Sequence, residues 1–119
     1  MSDELQDQRE RFRDLVAAWM SAMNNGTERP GEADRITAKT DATVETWTAA
    51  GTAEAVLEPL LTDESAHVRC AAAAYLLRQG TADRASEVLE AIAADDELGL
   101  AASTADTVLL VWEREQRGP

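Results

Sequence analysis

One cysteine, one histidine and five aromatic residues are all that these 119 residues contain of those types. A lone Cys70 cannot form an internal disulfide framework and fits a reducing compartment. His67 and Cys70 stand three apart, the spacing of two metal ligands on one helix face, but no other His or Cys completes a zinc site. The same scarcity leaves no Cys–His or Ser–His–Asp set for nucleophilic catalysis, in which nucleophile and base must meet within hydrogen-bond reach. There is no glycine-rich phosphate loop and no basic stripe interleaved with aromatics. The longest apolar run, Cys70 to Leu77, is far shorter than the roughly 20 residues that span a bilayer. The first residues, Met1-Ser2-Asp3-Glu4-Leu5-Gln6-Asp7, are too charged for a signal peptide. The expectation is a soluble, cytoplasmic protein without metal or cofactor.

Basic charge is also scarce, and unevenly so. Residues 1–40 hold eight acids and six bases, whereas residues 41–119 hold fifteen acids and five bases, a net of −10 out of −12 for the chain. No Lys or Arg lies between Lys39 and Arg69, or between Arg84 and Arg114. Such a field repels nucleic acid, whose binding rests on neutralising phosphates, and speeds association with a basic protein. Acidity of this kind also serves solubility or salt adaptation, so charge alone leaves the choice open.

What the chain does have is alanine and helical periodicity. Alanine accounts for 23 residues, leaving about 30 bulky apolar ones, so the core must be thin and the helices close. The spacing predicts six helices and no strand. The first, over 3–23, carries Phe12, Leu15, Val16, Trp19, Met20 and Met23 on one face. Asn24-Asn25-Gly26 ends it, and Arg29-Pro30-Gly31 completes a loop. The second, over 32–50, has a weaker stripe of Ile36, Thr40, Val44 and Trp47, closed by Gly51. The third, over 52–62, contains Pro59, which removes a helical hydrogen bond and calls for a bend or break. After a turn at Asp63-Glu64-Ser65, with Asp63 or Ser65 as N-cap, the fourth covers 66–79 and stops at Gly80. The fifth covers 82–94. The sixth follows Asp95-Asp96-Glu97 and runs to Gln116, with Leu98, Ala101, Ala105, Val108, Leu109 and Trp112 inside, before Gly118-Pro119.

Two stretches of the chain repeat each other. Gly51-Thr52-Ala53 with Val56-Leu57-Glu58 recurs as Gly80-Thr81-Ala82 with Val88-Leu89-Glu90. From there the copies keep a spacing of 32: Asp63 with Asp95, Val68 with Leu100, Ala73 with Ala105, Leu77 with Leu109. A helical repeat of this length is the mark of stacked helix pairs, which are mostly binding surfaces. The segment from Val68-Arg69 through four alanines, Cys70 aside, to Leu77 and Gly80, preceded by Asp63, resembles the second helix of a HEAT/armadillo-like repeat. The resemblance implies that Asp63 and Arg69 are structural, with Arg69 bonding to turn groups such as Asp63 or Asp95. The second copy has Ala101 where the first has Arg69, as suits a terminal repeat.

The resemblance implies an all-α fold, a short right-handed α-solenoid of antiparallel helix pairs forming one domain over 1–119. Its parts would be an N-terminal helix pair (1–50), a HEAT-like repeat (51–80) and a terminal repeat (81–119). In length and helix order the chain also resembles small bacterial HEAT-like domains without an assigned activity, some of which are thought to be immunity proteins encoded beside toxins. That resemblance implies an inhibitory binding module rather than an enzyme. The alternative is an adaptor or regulatory scaffold in a host complex.

The acids that could meet a basic partner are Asp63 and Glu64 in one turn and Asp95, Asp96 and Glu97 in the equivalent turn, with His67 beside the first and Asp106 and Glu113 along the last helix. Acids before helix N-termini are also stabilised by the helix dipole, by roughly 0.3–1 kcal/mol each, which gives these turns a structural reading beside the binding one. Carboxylate pairs for acid–base hydrolysis would further need a cleft that perturbs their pKa values. The three Trp residues fall in register with buried stripes near helix ends, where an indole can pack and still flank a groove. The expected partner is a protein with a basic surface, such as a cognate toxin, bound by a monomer or weak dimer, with no nucleic acid or membrane involved.

Overall fold

Alanine-rich, periodic segments separated by glycine fold as the sequence predicts, into helices alone. The computed structural model describes residues 2–24, 31–80 and 82–117, and these contain six α-helices and no strand. They are α1 (Ser2–Asn24), α2 (Glu32–Ala50), α3 (Ala53–Leu57), α4 (Ala66–Arg78), α5 (Ala82–Ala93) and α6 (Leu100–Arg117). Two 3₁₀ turns, Glu58–Thr62 and Asp96–Leu98, precede α4 and α6. The expected loop at Asn25-Gly26 and Arg29-Pro30, the repeated Thr81 and the terminal Gly118-Pro119 lie outside the described residues. The chain divides into two compact units, Met1–Val56 and Leu57–Pro119.

In the first unit α1 packs on α2. Phe12, Leu15 and Val16 are buried, as are Val44 and Trp47, and the Phe12 and Trp47 rings meet at 6.3 Å between centroids, tilted by 47°. Such tilted pairs add roughly 0.5–1.5 kcal/mol to the area they bury. Burial along the α1 stripe then fades. Trp19 and Met20 are half-buried, and Met23, expected inside, is 45% exposed in the last turn. Threonine at buried Thr40 is tolerated because its hydroxyl donates to the Ile36 carbonyl at 2.8 Å, leaving its methyl for the core. Gly51 ends α2 at φ 78°: its N–H donates to Thr48, and the Thr52 N–H donates to Trp47. That pairing of the last carbonyls requires a left-handed residue, hence glycine.

Pro59 breaks its helix as its chemistry demands. α3 stops at Leu57 and the chain tightens into the 3₁₀ turn. Proline has no N–H to offer the Ala55 carbonyl in α-helical geometry or the Val56 carbonyl in 3₁₀ geometry. Arg9 of α1 donates to both of the carbonyls that the missing N–H could have served, with Nη2 2.9 Å from the Ala55 oxygen and Nε 3.2 Å from that of Val56. The Ala55 bond is exposed and the Val56 bond part-buried, so Arg9 supplements these carbonyls at the surface of the unit.

In the second unit α4 lies centrally, packed on the Glu58–Thr62 turn, α5 and α6. Ala72, Ala73, Ala85 and Ala105 are fully buried beside Leu60, Leu76 and Leu89. Small side chains let the helix axes approach while the leucines fill the remaining space. An exposed Arg84–Glu58 ion pair at 3.5 Å ties α5 to the turn, and at the surface such a pair contributes about 0–1 kcal/mol.

Candidate functional site

The two acidic turns share one local device. Asp63 Oδ2 accepts from the Ser65 N–H at 3.0 Å, and Asp95 Oδ1 accepts from the Glu97 N–H at 3.1 Å. Each short carboxylate thus mimics a backbone turn at the same place in its repeat. Beyond the carboxylate the two turns differ. Ser65, rather than Asp63, caps α4, its Oγ accepting from the Val68 N–H at 3.4 Å. In the second copy Asp95 caps the 3₁₀ turn instead of α6, and the helix starts at Leu100 after Gly99, not at Leu98 as the spacing suggested. Gly99 has φ 55° and ψ −116°, a conformation that only glycine adopts comfortably, and its carbonyl accepts the Ser103 N–H in the first turn of α6.

Arg69 bonds to the first turn as its place in the repeat implies, and its acceptors include the backbone. Its Nη1 donates to the Asp63 carbonyl at 2.7 Å and the Glu64 carbonyl at 3.2 Å. A guanidinium holding two carbonyls fixes the turn against its helix, at roughly 1.5–3 kcal/mol for hydrogen bonds from a charged group. Ala101, at the matching place in the second copy, is 1% exposed and has nothing to donate.

His67 and Cys70 occupy neighbouring positions on α4 with different surroundings. Cys70 is 3% exposed, and burial pushes its thiol up to about 11. It is therefore a neutral thiol at pH 7. His67 is half-buried, and burial lowers its pKa below the ordinary 6.5. Among the described residues no three His, Cys, Asp or Glu side chains gather as a metal site would require.

The remaining acids spread over the surface. Glu64, Asp95, Asp96, Glu97, Asp106 and Glu113 are exposed, while Asp63 is half-buried in its turn. Asp106 and Glu113 share one stripe of α6 with Leu110, which is 56% exposed. Beside that stripe the C-terminal halves of α4 and α6 line a groove of about 310 Å³. Ala74 and Leu77 face Val108, Val111 and Trp112 across it, with Arg78 and Glu115 also on its walls.

The groove is the feature that the periodicity placed least well. Val108, expected inside, is half-buried along its wall; Trp112 is half-buried there as an indole near a helix end that flanks a groove, and Val111 is 49% exposed. Its sequence signal is faint: Thr107, Val111 and Glu115 recur four apart, one face of α6 mixing apolar and polar residues. Compared with protein-family models, with characterised proteins and with solved structures, the chain matches none.

Proposed function

We propose that this chain is an inhibitory protein-binding module, an immunity protein that binds and occludes a basic toxin or effector. One observation carries the reading. The charge of −10 over residues 41–119 stands on exposed side chains, among them Asp95, Asp96, Glu97, Asp106 and Glu113. A surface of one sign steers an oppositely charged partner and raises its association rate, at low salt most of all. The right-handed solenoid of HEAT-like helix pairs belongs to the same proposal. It is supported by the successive packing of α4 on α5 and α5 on α6, and by the matching turns at Asp63 and Asp95.

The adaptor reading has an observation of its own. Leu110 and Val111 leave apolar surface in water, which the permanent interfaces of larger complexes commonly cover. One experiment separates the two. The tagged chain is recovered from its native cell at low salt and the bound protein is identified and purified. A stoichiometric basic protein whose toxic activity is suppressed by added chain, with affinity falling as salt rises, supports the first reading. A subunit of a constitutive complex bound without salt dependence supports the second. Recovery of neither overturns both.

A further inference from the structure

The outward face of α6 differs in charge from the rest of the acidic half. Residues 41–99 hold twelve acids and three bases, a net of −9, whereas α6 holds three acids and two bases, a net of −1. On the side away from buried Ala101, Ala105 and Leu109 stand Ser103, Asp106, Thr107, Leu110 and Arg114, all exposed. Leu110 is the most exposed of the large apolar residues described, and Val111 beside it is half-exposed. The Thr107 hydroxyl donates to the Ser103 carbonyl at 3.0 Å, so it is satisfied within its own helix. A near-neutral face with a leucine at its centre is thus set into a surface that otherwise repels acidic molecules.

The order of the charges selects the occupant. Asp106 stands one turn before Leu110 and Arg114 one turn after it, and neither has a hydrogen-bond or ion-pair partner among the described residues. Reversing the helix about Leu110 exchanges those two positions. Two copies of α6 laid antiparallel, leucine against leucine, therefore bring each Asp106 opposite the partner's Arg114. The result is two equivalent ion pairs around one apolar contact, with the twofold symmetry common to homodimers. A parallel pairing would instead set Asp106 against Asp106 and Arg114 against Arg114. A purely basic segment would meet Arg114 as well as Asp106, so the pattern suits a copy of itself better.

We propose that this chain forms a weak homodimer through the outward face of α6, antiparallel and centred on Leu110. One helix-on-helix contact buries less than the roughly 1,200–2,000 Å² of stable interfaces, and the opposed net charges of −12 weaken it further. The Asp95–Glu97 turns precede the two α6 N-termini and so lie at opposite ends of the pair. At a rise of about 1.5 Å per residue those N-termini stand about 30 Å apart along the helices. Both turns stay outside the contact, so the pairing does not depend on the nature of the proposed basic partner.

Sedimentation equilibrium of the full chain tests the pairing, in about 0.15 M salt and at up to about 1 mM protein. A reversible monomer–dimer equilibrium is expected. Leu110→Glu, at an exposed position, should weaken it about tenfold or more and leave the thermal midpoint unchanged. Asp106→Arg and Arg114→Asp should each weaken self-association about fivefold, since each sets like charges opposite one another. Mixed one to one, these two variants should pair with each other about as tightly as the native chain pairs with itself. One then carries acids at both places and the other carries bases. A monomer at every concentration would overturn the proposal, and so would a dimer indifferent to Leu110→Glu. Mixed variants that fail to pair would overturn the antiparallel register. A chain that stays monomeric yet binds a basic protein would remove the dimer and leave the proposed function standing.

Discussion

In the first copy of the repeat Ser65 follows the Asp63 turn and caps α4 at once, whereas in the second Glu97 stands at that place and a 3₁₀ turn and Gly99 intervene before α6. Four substitutions at matching places account for the divergence. Glu97 cannot cap as Ser65 does; Gly99 replaces a helical His67; Leu100 is 40% exposed where Val68 is buried; and Ala101 replaces the turn-bonding Arg69. The consequence reaches the packing. α4 buries residues on several sides, Val68, Cys70, Ala72, Ala73, Leu76 and Leu77, while among the described residues α6 buries only Ala101, Ala105 and Leu109, on one stripe. One sequence repeat therefore yields a helix held from several directions and a helix with an open face. The open face is where the groove, the exposed Leu110 and Val111, and the acids Asp106 and Glu113 lie.

The sharpest way to break this comparison is to truncate matching residues. Leu76 is fully buried and its counterpart Val108 is half-buried. In urea unfolding, Leu76→Ala should cost about 2–5 kcal/mol and Val108→Ala under about 1.5 kcal/mol. Equal losses would mean that α6 is covered as fully as α4. Next in size is Arg69→Ala, which leaves the Asp63 and Glu64 carbonyls without their guanidinium and should cost about 1–3 kcal/mol by the same measurement.

How far the sequence carried these conclusions depends on whether the signal was local. Gly51, Pro59 and the Asp63 turn are local signals, and the structure obeys them to within a residue or two. The late start of α6 was also written locally, in Gly99, but a uniform repeat spacing hid it. Arg9 could not be anticipated from its own surroundings, because its acceptors are 46 and 47 residues away. The groove escaped for a related reason. Periodicity tells which side of α6 faces inward, but the extent of the cover depends on which helices pack beside it.

Smaller effects sharpen the contrast at the helix starts. Ser65→Ala removes an N-cap and should lower stability by about 1 kcal/mol, whereas Glu97→Ala should change it by under about 0.5 kcal/mol. The thiol offers a comparison of burial with little change in fold. Native Cys70 should resist a thiol reagent until the chain unfolds, while Ala102→Cys in a Cys70→Ala background, at the half-buried matching place, should react in the native state. Because burial raises the Cys70 value from 9.0 to about 11, its neutral form favours the folded chain. That contribution is fully present below pH 9 and is lost as pH rises through about 11, a decline that Cys70→Ala should reduce.

The central proposal is that the exposed acids of the second copy contribute most to meeting the partner, while the first copy holds the fold. Calorimetry of the basic partner recovered from the native cell tests it most directly, with folded stability measured on the same variants. Reversing Asp95, Asp96 and Glu97 to Lys should weaken binding at least tenfold and lower stability by no more than the exposed Asp95 cap, about 1 kcal/mol, whereas Asp63→Lys, at a half-buried turn, should lower it further. A triple variant that loses stability yet binds the partner with undiminished affinity would contradict the account.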